Sequence, residues 1–168
     1  ASEAARTKAA EVLGIHTTSS NTEVSTQADV LFLSVKPQYY ETVIAEIQPT
    51  LPSGQIIVTI APGKTLAWLK ERLGAVKVVR TMPNTPALVG EGITGVCKNE
   101  LVTDEEFAYV LKLLSSFGLA EAVPESLMDA VVSVSGSSPA YVFLFIEAMA
   151  DAAVADGMPR TQAYRFAA

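Results

Sequence analysis

Apolar and polar positions along this chain change period repeatedly. Ser2 reads as the N-cap of a helix through Leu13, stopped by Gly14. Asn21 reads as the cap of a short turn of helix before Gln27. Val30 to Val35 is a continuous apolar run, as expected of a strand buried on both faces, and Pro37 ends it. A helical pattern from about Tyr39 to Ile47 stops before Pro49 and Pro52. Ile56 to Ile60 is the next strand, closed by Ala61-Pro62-Gly63, and a short helix from Leu66 to Leu73 ends at Gly74. Val76 to Thr81 is a third strand and delivers the loop Met82-Pro83-Asn84-Thr85-Pro86. Ile93 to Lys98 reads as another strand. Thr103 caps a helix to Phe117, with Asp104, Glu105 and Glu106 in the first turn, where the dipole favours negative charge. Leu119 to Val123 is a last short strand.

Strands alternating with helices predict an α/β layer fold with a largely parallel sheet. The pattern changes after Ser135-Gly136-Ser137-Ser138-Pro139, where a long helix runs to about Asp156; Gly157 ends it and Pro159 opens another. A boundary near Ser135 therefore divides an α/β region, 1–134, from a helical one, 135–168. The helix from Ala140 is apolar almost all round (Tyr141, Val142, Phe143, Leu144, Phe145, Ile146, Met149), the pattern of a buried helix.

Composition narrows the chemistry. Apolar residues make up 49% of the 168, which implies a large core or a buried oligomer face. The best candidate for a membrane span, Ala140 to Ile146, is cut by Glu147 and Asp151, so no spanning helix is expected. A net charge of −6 argues against nucleic acid and anionic membranes as partners. One cysteine and one histidine exclude an internal disulfide and a zinc cluster built from them. Cys97 lies in a strand-like run and reads as a buried thiol, and His16 near Gly14 as a solvated surface residue with nothing nearby in sequence to orient it.

Two loops invite a chemical reading. Gly90-Glu91-Gly92-Ile93-Thr94-Gly95 has the spacing of a dinucleotide phosphate loop, but that loop needs a strand before it and a helix after it. Here a proline loop precedes and strand-like Val96-Cys97-Lys98 follows, so the match is rejected. The double-proline loop is different. In open α/β sheets, ligands bind outside the carboxyl ends of parallel strands. Pro83 and Pro86 fix φ and hold Asn84 and Thr85 between stiff points, which suits either a ligand loop or a rigid connection.

The order of the loops resembles that of the pyrroline-5-carboxylate reductase family. Asp29-Val30-Leu31-Phe32-Leu33-Ser34-Val35-Lys36-Pro37 is similar to the family's strand ending in a Val-Lys-Pro turn. Val58-Thr59-Ile60-Ala61-Pro62-Gly63 is similar to its small-residue turn, which more often has Ala where Pro62 stands. Arg80-Thr81-Met82-Pro83-Asn84-Thr85-Pro86, Ser135-Gly136-Ser137-Ser138-Pro139-Ala140-Tyr141 and Gly157-Met158-Pro159-Arg160 complete the match over nearly the whole chain.

The resemblance implies a Rossmann-like, largely parallel sheet with helices on both faces, followed by the start of an all-helical dimerisation domain. It implies reduction of the cyclic imine 1-pyrroline-5-carboxylate to L-proline with NADPH, NADH remaining open. It also implies a homodimer or higher homo-oligomer; a cytoplasmic location is expected because the sequence shows no secretory signal. Both ends look cut: the family's Gly-rich phosphate loop and its Ser-Pro-Gly-Gly-Thr-type loop are expected outside the chain.

Ala1-Ser2 matches the end of the family's second strand, where the adenosine ribose is read; neutral Ser2, with Arg6 one turn on, favours NADPH, while Glu3 leaves NADH possible. Asn21 matches a position facing the adenine side. Ser34, Val35, Lys36 and Pro37 lie along the cofactor, and Ile60, Ala61, Pro62 and Gly63 lie by the nicotinamide. Asn84 is the candidate catalytic residue, placing nicotinamide or substrate, and Glu125 lies near the ligand. Local roles compete at several of these positions: a plain cap at Ser2, a solvated Lys36, a loop-internal bond at Asn84, a helix-start carboxylate at Glu125. The rival readings are a related β-hydroxyacid dehydrogenase, disfavoured because the helix after Pro139 has no lysine, and a catalytically idle cofactor-binding relative.

Overall fold

A computed structural model describes residues 2–168. Ala1, read above as the end of a strand, lies outside the described residues. Helix α1 (Glu3–Leu13) starts at Ser2, whose Oγ accepts from the Ala5 amide at 3.3 Å, and ends at Gly14 in the left-handed region, φ 64°. Helix α2 (Asn21–Gln27) is capped by Ser20, not by Asn21; the Ser20 Oγ accepts from the Glu23 amide at 3.1 Å. Serine presents its oxygen one bond closer to its own backbone than asparagine does, and the chain places it at the residue with extended dihedrals. Then follow β1 (Val30–Leu33), α3 (Tyr40–Ile47), β2 (Ile56–Thr59), α4 (Leu66–Leu73), β3 (Lys77–Met82), β4 (Gly92–Lys98), α5 (Asp104–Leu114) and β5 (Gly118–Ala122).

The strands form one mixed, mostly parallel sheet in the order β1-β2-β3-β4-β5. β1, β2 and β3 run parallel, with Leu33 opposite Thr59 and Thr59 opposite Arg80. β4 turns back along β3. Asn99, just past the end of β4, bonds the start of β3: its Oδ1 accepts from the Val78 amide at 3.1 Å and its Nδ2 donates to the Val76 carbonyl at 2.8 Å. The double-proline loop is thus the connection of a hairpin.

Two compact units divide the chain: one runs through Thr81 and adds Val96–Val110, the other holds Met82–Gly95 and Leu111–Ala168. In the first unit, Leu31, Leu33, Ile57 and Val78 share a sheet face and pack with Tyr40, Ile44 and Ile47 of α3 and Leu69 and Leu73 of α4. Each fully buried aliphatic side chain there contributes roughly 1.5–3 kcal/mol over its exposed state. Lys77 points to the opposite face, where its Nζ bonds Glu106 of α5, so helices do cover both faces. Glu106 also closes a capping box with Thr103: the Glu106 amide donates to the Thr103 Oγ1 at 3.2 Å, and the Thr103 amide to Glu106 Oε2 at 3.0 Å.

In the second unit, the helical run that follows β5 begins at Glu125, upstream of the composition change at Ser135. A 3-10 turn (Glu125–Leu127) leads into α6 (Met128–Val131), a π-helical turn (Val132–Gly136), α7 (Ser138–Ala155) and α8 (Arg160–Ala167). Pro139 explains the π turn. It lacks an amide hydrogen and its ring crowds the preceding turn, and a widened turn relieves both constraints without ending the helix. Contrary to the sequence reading, Glu125–Ala155 is long and apolar enough to cross a membrane by length and composition. The all-round apolar face of α7 is not buried in the unit: Tyr141 is 64%, Phe143 59% and Phe145 66% exposed. Only Ala150 of α7 is buried.

Candidate functional site

Three strand ends carry the candidate loops. The β1 strand stops at Leu33, earlier than the expected Val35, because the Ser34 amide turns back to the Phe32 carbonyl at 3.1 Å. Val35 is half-buried, while Ser34, Lys36 and Pro37 are exposed. Lys36 starts the 3-10 turn Pro37–Tyr39 through its backbone, and its side chain makes no capping bond. Beside it, β2 stops at Thr59. Ile60 is half-buried, Ala61 buried, and Pro62 and Gly63 exposed. Gly63 has φ 72°, and a Cβ built there would meet nothing within 4 Å. This turn therefore presents backbone, one small side chain and open space, which suits a flat ring lying against it.

Hydrogen bonds across the strand ends hold the two turns. Tyr40, fully buried on α3, donates from its hydroxyl to the Leu33 carbonyl at 2.6 Å and accepts from the Ile60 amide at 3.4 Å. Burial pushes the Tyr40 phenol above its ordinary value, which favours the hydroxyl form that donates this bond. Thr81 Oγ1 donates to the Thr59 carbonyl at 2.9 Å and ties the end of β3 to the end of β2. Sequence reading assigned neither residue a role, because their partners lie 7, 20 and 22 residues away.

Within the second unit, Asn84 is half-buried and precedes the 3-10 turn Thr85–Val89. Its Oδ1 accepts from the Ile93 amide at 2.9 Å, so the loop-internal bond weighed above is present. That bond uses the carboxamide oxygen and leaves the NH2 group for another acceptor. The rejected glycine pattern is a packing device. A Cβ on Gly92 would lie 2.7 Å from Ala87 Cα, and one on Gly118 only 2.1 Å from the Gly92 carbonyl oxygen. Met82 and Gly136 meet in the same unit, where a Cβ on Gly136 would sit 3.3 Å from Met82 Cε. Glu125 opens the first 3-10 turn of the long helix. An apolar hollow of about 330 Å³, lined by residues such as Ile93, Val123, Leu127 and Val131, contains none of the candidate residues.

Other candidates are engaged locally. Ser2 caps α1. The Asn21 Nδ2 donates to Glu46 at 2.8 Å, leaving its side-chain oxygen. His16 is oriented after all: its Nε2 lies 3.0 Å from Glu23, which also accepts from Thr18 at 2.7 Å. These contacts hold the Glu23 carboxyl below the ordinary range, Thr18 first. Cys97 is buried, as expected. No group of three or more metal-ligating side chains occurs among the described residues.

Comparison with known proteins gives two family profiles: pyrroline-5-carboxylate reductase dimerisation matches residues 125–168, and NADP oxidoreductase, coenzyme F420-dependent, matches residues 1–63. The chain is 53% identical over 156 residues to pyrroline-5-carboxylate reductase of Escherichia coli K12, covering 92% of this chain and 58% of that protein. It is 40% identical over 157 residues to the Methanosarcina acetivorans enzyme of the same name, covering 93% and 58%. Among solved structures, 1-pyrroline-5-carboxylate reductase from Streptococcus pyogenes matches at TM-score 0.88 and 35% identity, over 99% of this chain and 63% of that one. The Plasmodium falciparum pyrroline carboxylate reductase with NADP bound matches at TM-score 0.85 and 36% identity, over 89% and 57%. The chain thus spans a little under three fifths of the curated relatives it matches.

Proposed function

The chain belongs to the pyrroline-5-carboxylate reductase family, and from that premise we propose that it works in the NAD(P)H-dependent reduction of 1-pyrroline-5-carboxylate to L-proline. One observation carries the reading: two small-residue turns, Ser34–Pro37 and Ile60–Gly63, stand at neighbouring parallel strand ends in a chain 53% identical to a curated enzyme of that name. The open space over Gly63 and the exposed backbone of both turns fit a dinucleotide. When bound, the reduced nicotinamide supplies the hydride.

The chain's own residues bind and orient. Val35 and Pro37 offer backbone and apolar surface along the cofactor, and Lys36 an ammonium for a phosphate or ribose oxygen. Ile60, Ala61, Pro62 and Gly63 present a surface without bulk to the ring. The Asn84 NH2 group holds a carbonyl of nicotinamide or substrate, while its oxygen keeps the loop in shape. Ser2 and Arg6 favour a 2′-phosphate, Asn21 turns its remaining oxygen to the adenine side, and Glu125 lies near the ligand. The apolar face of α7 is covered by a second copy, in keeping with the dimerisation profile over residues 125–168. The Ser-Pro-Gly-Gly-Thr-type loop that resemblance assigns to the substrate carboxylate is not among these 168 residues.

The test is cofactor oxidation on addition of 1-pyrroline-5-carboxylate, in a family-length protein carrying these residues. Turnover with a higher kcat/KM for NADPH than for NADH is expected. A folded, NADPH-binding protein without turnover would overturn the enzymatic reading, and equal kcat/KM values would overturn the NADPH preference.

A further inference from the structure

Tyr40 is a phenol in an aliphatic shell. It is fully buried, in the cluster that also holds Leu31, Leu33, Ile44, Ile57 and Leu69. Packing alone would be served by phenylalanine. Burying a hydroxyl in such a shell is unfavourable unless hydrogen bonds offset the lost water. The hydroxyl bonds two strand ends, the last carbonyl of β1, at Leu33, and the first amide past β2, at Ile60, and the Thr59 side chain and Ala61 backbone also act on it. The parallel ladder between the strands closes at Leu33 opposite Thr59. Past that pair the Ser34–Pro37 and Ile60–Gly63 turns leave the ladder, and the Tyr40 hydroxyl joins the last residue of β1, from which the first turn departs, to Ile60, the first residue of the second.

We propose that Tyr40 is a positioning residue whose hydroxyl sets the separation of the two cofactor-facing turns. The inference rests on the reading of those turns as a cofactor wall. Tyr40 touches neither cofactor nor substrate in this scheme; it acts through Leu33 and Ile60. Misplacing bound groups by about 1 Å can cost about 100-fold in rate, so the spacing of these turns bears on cofactor geometry.

The experiment uses a family-length protein carrying these residues, with NADPH binding read by nucleotide fluorescence. Tyr40→Phe keeps the ring and removes both bonds; it should raise the Kd for NADPH about three- to tenfold, the range of one lost neutral hydrogen bond with some loosening. The KM for 1-pyrroline-5-carboxylate should stay within about twofold. Ile44→Val trims the same core, keeps the Tyr40 hydroxyl and serves as the control for general destabilisation; its Kd should stay at the unmodified value. An unchanged Kd in Tyr40→Phe, or an equal rise in both variants, would overturn the proposal. A second arm needs no variant: NADPH should slow amide exchange in segments 33–37 and 60–63 together. Protection of one segment alone would also overturn it. Failure of the unmodified protein to bind NADPH would instead count against the cofactor-wall reading.

Discussion

Asn84 offers a way to separate a residue's work in its own loop from its work on a ligand. Its Oδ1 accepts from the Ile93 amide at 2.9 Å across the hairpin connection. Asn84→Ala leaves that amide without its partner. A stranded buried donor costs about 1–3 kcal/mol, and the half-buried setting of Ile93 argues for the lower half of that range. At about 2–4 °C per kcal/mol for a protein of this size, Tm should fall by about 2–8 °C. Asn84→Asp keeps an acceptor in the same place, and a charged acceptor bonds an amide at least as well. Its Tm should stay within about 2 °C of the original. What Asp lacks is the NH2 group. If that group holds a carbonyl of nicotinamide or substrate, Asp should lower kcat/KM by about 10- to 100-fold, the worth of one or two tenfold steps in binding free energy. Thermal unfolding and steady-state kinetics on the same two variants decide the matter. Asp with both Tm and kcat/KM unchanged would refute the ligand role and leave Asn84 as a loop residue.

Other expectations follow from packing and charge. Gly118→Ala puts a Cβ 2.1 Å from the Gly92 oxygen at φ 139°, combining overpacking with backbone strain of about 1–3 kcal/mol each; a denaturant midpoint within error of the unmodified protein would contradict the packing role of these glycines. The Glu106 carboxyl is held below the ordinary range first by Lys77 and then by the Thr103 amide, so its contribution is present above the unfolded value of about 4.3 and is lost as pH falls through the depressed folded value. Glu106→Gln should therefore flatten the acid limb of the stability–pH curve below about pH 5. An identical acid limb would remove Glu106 from the account. Phe145→Lys places a charge on the exposed apolar face of α7 and should shift sedimentation toward the monomer; sedimentation unchanged from the original would show that another face joins the copies.

Local chemistry wrote much of this fold into the chain. Ser2 before an amphipathic run, Gly14 after it, Thr103 before the helix of Asp104, and Gly74 after Leu73 are signals that act within a few residues, and the helices begin or end there. The β-branched runs at Ile56 and Lys77 are strands because such residues fill a sheet buried on both faces. The loops with candidate chemistry were legible for the same reason: proline and glycine restrict the chain locally. The rejection of Gly90–Gly95 as a phosphate loop rested on its neighbours in sequence: a 3-10 turn, not a strand, precedes it, and strand, not helix, follows.

What lay beyond the sequence depends on contacts between distant residues. Nothing near Tyr40 marks its hydroxyl as a tie between strand ends, because Leu33 and Ile60 reach it only through the parallel pairing of β1 with β2. The direction of β4 was decided by Asn99 bonding back to Val76 and Val78, and the need for glycine at 92 and 118 by their close approach, which no local pattern announces. Asn21 carries the chemistry of a cap, yet Ser20 takes that place and Glu46 takes the Asn21 amide. The apolar helix after Pro139 promised burial, but the described residues leave its aromatic face exposed. Composition fixes how much apolar surface a chain must hide; only tertiary structure decides where it lies and which polar groups near it are already spoken for.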